Sequence, residues 1–80
     1  MNASQAIADR LLALCKERGI TINKLSTESA VRQSTVNDIV NGITKNPGVI
    51  TIKKLCDGLN ISLAEFFNTS VFQTLEQEIR

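Results

Sequence analysis

Residues 21–42 read TINKLSTESAVRQSTVNDIVNG, from Thr21 to Gly42, and this stretch decides the fold. Its apolar residues fall in two short groups at helical spacing: Ile22 and Leu25, followed by the small Ser26, and then Val36, Ile39 and Val40. Thr21 as a cap predicts a helix over about 22–29, and a second over about 33–41 ends at Asn41-Gly42, a strong stop signal. Between them, Ala30-Val31-Arg32 is too short to be a loop with structure of its own. Helices this short are unstable alone, so the pair must dock by its apolar face on other parts of the chain. The second helix points Gln33, Ser34, Asn37 and Asp38 outward, with Thr35 and Asn41 nearer its edges. These are short side chains with donors and acceptors, not the Glu/Lys mixture of a helix that only faces water.

The flanking sequence supplies the surface to dock on. Ile7, Leu11, Leu14 and Cys15 lie at i, i+4, i+7 and i+8, which predicts a first helix from about Ser4 to Arg18. Asn2 or Ser4 is its cap, and Gly19 supplies a left-handed end. Residues 43–50, ITKNPGVI, predict a polar, basic loop punctuated by Pro47-Gly48. A further helix is expected after a Thr51 cap, with Ile52, Leu55, Cys56 and Leu59 on one stripe and Asn60 at its end. Gly58 inside that helix costs about 1 kcal/mol relative to Ala, which a close packing contact would explain. Ser62-Leu63-Ala64-Glu65 is a capping box opening a short helix whose Leu63, Phe66 and Phe67 close the core. Ser70 to Arg80, with Phe72, Leu75 and Ile79 on one side, predicts a short amphipathic helix that needs a surface to lie on. The expected fold class is therefore all-α: a compact domain of five helices over residues 1–68 and a helical tail over 69–80.

Composition narrows the function. Eighty residues make one domain with a modest core, and 42% apolar with 21% charged residues is an ordinary globular balance. There is no His, and the two cysteines, Cys15 and Cys56, sit in apolar stripes, so both read as reduced core residues. No metal site is expected from such a set. A Gly-rich phosphate loop is lacking, as is a Ser or Cys beside a base, so neither catalysis nor a cofactor nor a small-molecule ligand is expected. The apolar runs are too short to span a membrane, and residues 1–20 lack the apolar region of a signal peptide; a cytoplasmic protein is expected. Charge is segregated. Residues 10–54 carry eight cationic side chains against three acidic ones, and residues 55–80 carry one against four. A basic surface around the central segment is what phosphate contact requires, although a solvated face with chance clustering gives the same count. Two helices joined by a turn of three or four residues are also the arrangement of a DNA-binding helix-turn-helix unit.

From about residue 7 to 67 the chain resembles the Cro/phage-repressor-type helix-turn-helix family, the xenobiotic-response-element class of small transcriptional regulators. The matching pieces are RLLALCKERGIT, LSTESAVRQSTVNDIVNG, KNP in the loop, TIKKLCDGLNI and SLAEFF, in that order and at that spacing. The resemblance implies a lambda-repressor-like fold with the helix over 33–41 in the major groove of double-stranded DNA. It implies base contacts from Arg32, Gln33, Ser34, Asn37 and Asp38. Gln and Asn pair with adenine, Ser with several bases, Arg with guanine or phosphate, and Asp either accepts from a cytosine amine, pairs with Arg32 or repels phosphate. Phosphate contacts fall to Thr21, Asn23, Lys24, Thr44, Lys45 and Asn46. It further implies a homodimer acting as a repressor, with Phe66, Phe72, Leu75 and Ile79 as the dimer surface; the alternative is that the tail folds back over its own first helix. The chain departs from the family's pattern at Ile22 (usually Gln), Ser26 (usually Ala), Ala30 (usually Gly) and Arg32 (usually a Ser cap). A protein-interaction module or antitoxin of the same fold, with little DNA binding of its own, is the competing reading.

Overall fold

A computed structural model describes residues 1–79. Arg80, the end of the expected tail helix, lies outside them. The described chain forms six helices: α1 (Ala3–Arg18), α2 (Ile22–Ser29), α3 (Gln33–Val40), α4 (Val49–Leu59), α5 (Leu63–Phe67) and α6 (Ser70–Gln73).

Local chemistry sets most of the boundaries. Asn2 caps α1 in a reciprocal box with Gln5, accepting from the Gln5 N–H while the Gln5 side chain accepts from the Asn2 N–H. Gly19 closes that helix at φ 65°, and its N–H donates to the Cys15 and Lys16 carbonyls. Thr21 caps α2 by accepting from the Lys24 N–H. Ser62 and Glu65 form the second capping box, at α5.

Packing sets the rest. α2 lies along α4, α1 against α3, and α5 closes over α4. Leu11, Leu14 and Cys15 from α1, Leu25 from α2, Val36 and Ile39 from α3, Ile52, Leu55, Cys56 and Leu59 from α4, and Phe66 from α5 make one buried cluster. Both thiols are free and buried. Burial pushes their pKa values up, so they stay protonated core groups.

The turn from α2 to α3 rests on two close fits. Ser26 is buried and donates its hydroxyl to the Asn23 carbonyl at 2.8 Å, which satisfies a polar group at the point where α2 meets its neighbours. Gly58 of α4 lies directly against Ser29, the last residue of α2. A Cβ at position 58 would overlap Ser29 Oγ and sit 3.1 Å from both Ser29 Cβ and Ser29 N. The expected packing role of this glycine is therefore observed.

Three expectations need correction. α4 starts at Val49, with Gly48 as its cap and no side-chain capping bond, so Thr51 lies inside the helix. The chain turns helical as soon as it clears Pro47-Gly48, because Ile52 N–H already finds the Gly48 carbonyl at 3.1 Å. Phe67 does not close the core: it is 38% exposed, while its neighbour Phe66 is fully buried. The tail is helical only through α6; residues 74–79 are irregular. Phe72 finds a seat, its ring centroid 4.9 Å from Phe67 and 6.2 Å from Phe66, but Ile79 stands 87% exposed. A single anchored turn does not repay the cost of nucleating the remainder.

Arg10 is the strut between the two ends of the chain. Its Nε donates to the Phe66 carbonyl at 2.8 Å and its Nη2 to the Glu65 carbonyl at 2.9 Å, and the guanidinium lies 6.0 Å from the Phe66 ring centre. A cation there satisfies the Phe66 carbonyl and adds a second donor to the Glu65 carbonyl, which already accepts from the Asn68 N–H.

Candidate nucleic-acid interface

α3 is held from below and open above. Val36 and Ile39, 0% and 2% exposed, anchor it in the core. Arg32, Gln33 and Ser34 are exposed at its start, and Asn37 and Asp38 are half-buried along the same outward face. The turn that delivers α3 depends on Ala30, which adopts the left-handed conformation at φ 54°, ψ 38°. That conformation costs a residue with a Cβ roughly 1–2 kcal/mol, and here it is offset by closure of the turn. The Ala30 N–H donates to the Ser26 and Thr27 carbonyls, and Val31 N–H to Ser26 O at 3.1 Å. Arg32 stands at the cap of α3 and makes no capping bond, so among the described residues no side chain caps the first amides of α3.

The far end of α3 is equally fixed. Gly42, at φ 75°, reverses the chain, and the Asp38 carbonyl accepts from Ile43 N–H at 2.8 Å and Thr44 N–H at 3.1 Å. These two hydrogen bonds to one carbonyl place Thr44, Lys45 and Asn46 immediately beyond the outward face of α3. Asn41, Gly42 and Lys45 face Ser4, Gln5 and Asp9 of α1 across a shallow open hollow.

The basic segment divides on inspection. Arg10 is engaged with α5, Lys53 pairs with Asp57 one turn on, and Lys24 pairs with Glu28 at 2.9 Å. Pairs as exposed as these contribute little and open readily. Arg32 and Lys45 make no ion pair among the described residues, and no bridge joins Arg32 to Asp38. Thr21, Asn23 and Lys24 are exposed at the start of α2, as are Lys45 and Asn46 after α3, while Thr44 is half-buried.

Two features of this region were not read from the sequence. The first is the engagement of Arg10, which nothing in the order of residues distinguishes from a surface cation. The second is a run of exposed aliphatics, Ile43, Val49 and Ile50, flanking the basic loop; their position off the apolar stripe of α4 was the available signal. Of the expected dimer residues, Phe66 is enclosed in the chain's own core and offers no surface to a second copy. Phe72 and Leu75 are half-buried and Ile79 is exposed, with Phe67 and Val71 beside them. The tail contacts its own α1, and Glu76 reaches the terminal amine of Met1 at 3.7 Å.

A helix-turn-helix family profile, HTH_3, matches residues 11–66. Over 53 residues the chain is 38% identical to the HTH-type transcriptional regulator SlrR of Bacillus subtilis (strain 168), covering 66% of this chain and 35% of that protein. Over 57 residues it is 39% identical to the HTH-type transcriptional repressor RghR of the same organism, covering 71% of this chain and 42% of that protein. The chain thus spans well under half the length of these relatives. Among solved structures, prophage Lp1 protein 11 superposes with a TM-score of 0.81 at 32% identity, over 94% of this chain and 100% of that one. An HTH_3 family transcriptional regulator from Vibrio cholerae gives 0.75 at 28% identity, over 80% of this chain and 35% of that one. The restriction-modification controller protein C.Esp1396I shares the fold, with a TM-score of 0.79 at 17% identity, over 94% of this chain and 95% of that one. With a family profile matched over most of its length and relatives of this kind, the chain belongs to the Cro/C1-type helix-turn-helix family of transcriptional regulators.

Proposed function

We propose that this chain binds double-stranded DNA sequence-specifically, as a homodimer in the cytoplasm, and represses transcription where it binds. The observation that carries the reading is the face of α3: anchored by Val36 and Ile39, it presents short hydrogen-bonding side chains at its exposed start. In the major groove, Gln33 and Asn37 pair with adenine edges, Ser34 with a neighbouring base, and Arg32 with a guanine or the adjoining phosphate. Asp38 lies furthest along this face and accepts from a cytosine amine. Thr21, Asn23 and Lys24 on one side, and Thr44, Lys45 and Asn46 on the other, straddle the groove and hold the backbone. The open amides at the start of α3 add to the attraction for phosphate. The repressor role is supported by the name of the RghR relative.

One recognition helix reads too few base pairs for genomic specificity, so two copies act together on half-sites about one helical turn apart. The exposed apolar groups of Phe67, Val71 and Ile79, with Phe72 and Leu75 behind them, are the contact surface of the pair. Selection of bound duplexes from a random pool tests the reading. An enriched palindrome with half-sites one turn apart is expected. No enrichment, together with binding that does not weaken as salt is added, overturns it in favour of a protein-interaction module.

A further inference from the structure

The contact between Gly58 of α4 and Ser29 of α2 has a bearing on recognition as well as on packing. Ser29 is the last residue of α2, and three residues later α3 begins. The intervening turn has no slack: Ala30 is left-handed, and its N–H and that of Val31 are both bonded back into α2. Any displacement at Ser29 is therefore passed to Arg32, Gln33 and Ser34. On the other side, Ser29 rests on bare glycine. Ser29 Oγ is buried without a hydrogen-bond partner among the described residues, so the side chain meets α4 through steric fit against Gly58. The loop carrying Lys45 is tied differently, by the Ile43 and Thr44 N–H groups to the Asp38 carbonyl, at the opposite end of α3.

We propose that Gly58 is a positioning residue for sequence readout: by letting α2 seat fully on α4 it sets where the start of α3 meets the bases. This rests on the DNA-binding reading above. A side chain at position 58 meets Ser29 Oγ, Cβ and backbone N together, and relieving the overlap with the backbone moves the end of α2 and α4 apart. Base-edge hydrogen bonds tolerate little displacement, whereas ammonium–phosphate attraction is forgiving of distance. Gly58→Ala therefore lowers discrimination between sites while sparing general DNA affinity. A variant that is merely less stable behaves otherwise, losing affinity for every duplex by one common factor.

The test measures three duplexes in parallel: one selected from a random pool by the wild-type chain, single-base-pair variants of it, and an unrelated sequence of equal length. Gly58→Ala is expected to reduce the ratio of selected to variant affinities about fivefold to fiftyfold, the worth of one degraded base contact, with affinity for the unrelated duplex nearly unchanged. Ser29→Ala/Gly58→Ala removes the overlapping hydroxyl but leaves the close approach to Ser29 N, so its ratio is expected between Gly58→Ala and wild type. If Gly58→Ala does not fold, the double variant takes its place and a smaller loss of discrimination is expected. A wild-type ratio in the folded variants, or one common loss on all duplexes, overturns the proposal. A wild-type chain that itself prefers no sequence overturns the DNA reading and this inference with it.

Discussion

Gln33 and Lys45 stand at opposite ends of α3 and differ in what they touch under the proposed geometry, so their loss separates two kinds of binding energy. Gln33 is exposed on the helix start, where a bidentate contact to one adenine is worth roughly 1–3 kcal/mol of discrimination. Lys45 projects from a loop tied to the Asp38 carbonyl and has no ion-pair partner among the described residues. Gln33→Ala is expected to relax selectivity at one base pair by that amount. Lys45→Ala should weaken binding to all sequences alike and make the salt slope shallower by about 1 per copy. Titrations against a selected site and its point variants at several salt concentrations check both; an equal loss on every variant for Gln33→Ala removes its base-reading role. A stability prediction sits in the same turn. Ala30 holds φ 54° with a Cβ in place, so Ala30→Gly relieves that strain, part of which is returned as greater freedom of the unfolded chain. A net gain of about 0.5–1 kcal/mol is expected in denaturant unfolding, with DNA affinity unaltered.

At the scale of elements, what the sequence made legible depends on how far the deciding contact reaches. Asn2 with Gln5, Thr21 with Lys24, and Ser62 with Glu65 are each settled within three residues, and those helix starts follow from the local pattern. The left-handed ends at Gly19 and Asn60 are equally local. α4 has its cap at Gly48, three residues, most of a turn, before the expected Thr51: Thr51 is a good cap in isolation, yet the Gly48 carbonyl already meets Ile52 N–H. The tail was misread for the opposite reason. Its apolar period is real, but a helix over 70–80 needs a surface along its whole length, and the aromatic seat on α5 serves only Phe72, leaving Ile79 exposed. The clamp of Arg10 on α5 spans 56 positions, and no local pattern announces it. Candidate recognition residues could be placed on α3 by period alone; the burial of Phe66, which withdraws it from any dimer surface, required the packed core. The tail gives its own prediction. Ile79→Asp should leave the fold intact, since Ile79 touches no core residue, but should shift sedimentation of the full chain from dimer to monomer. An unchanged dimer would move the contact surface elsewhere. Truncation after Asn68 should abolish the dimer as well and, by stripping Phe72 from Phe66 and Phe67, cost about 1–2 kcal/mol of stability.

For the molecule as a whole, affinity for DNA has to come from arrangement, because the net charge is only +1. The structure separates the signs. Arg32 and Lys45 border α3, Lys24 joins them once its exposed pair with Glu28 opens, and the acidic Glu76 lies in the tail beside the amine of Met1, ahead of α1. Under the proposed geometry a single copy offers about two or three cationic contacts to phosphate, too few for tight binding at physiological salt, and a pair would offer about four to six. Counterion release converts this into a slope of log affinity against log salt of about −4 to −5 for the dimer, or a loss of several hundredfold between 50 and 200 mM. The monomeric Ile79→Asp variant, with α3 untouched, should show about half that slope on the same duplex. The comparison ties the two halves of the reading together. Equal slopes for the two proteins would mean that each DNA molecule holds one copy, and the tail would have no part in recognition. A near-zero slope for both would mean that the cations flanking α3 do not meet phosphate, whatever the oligomeric state.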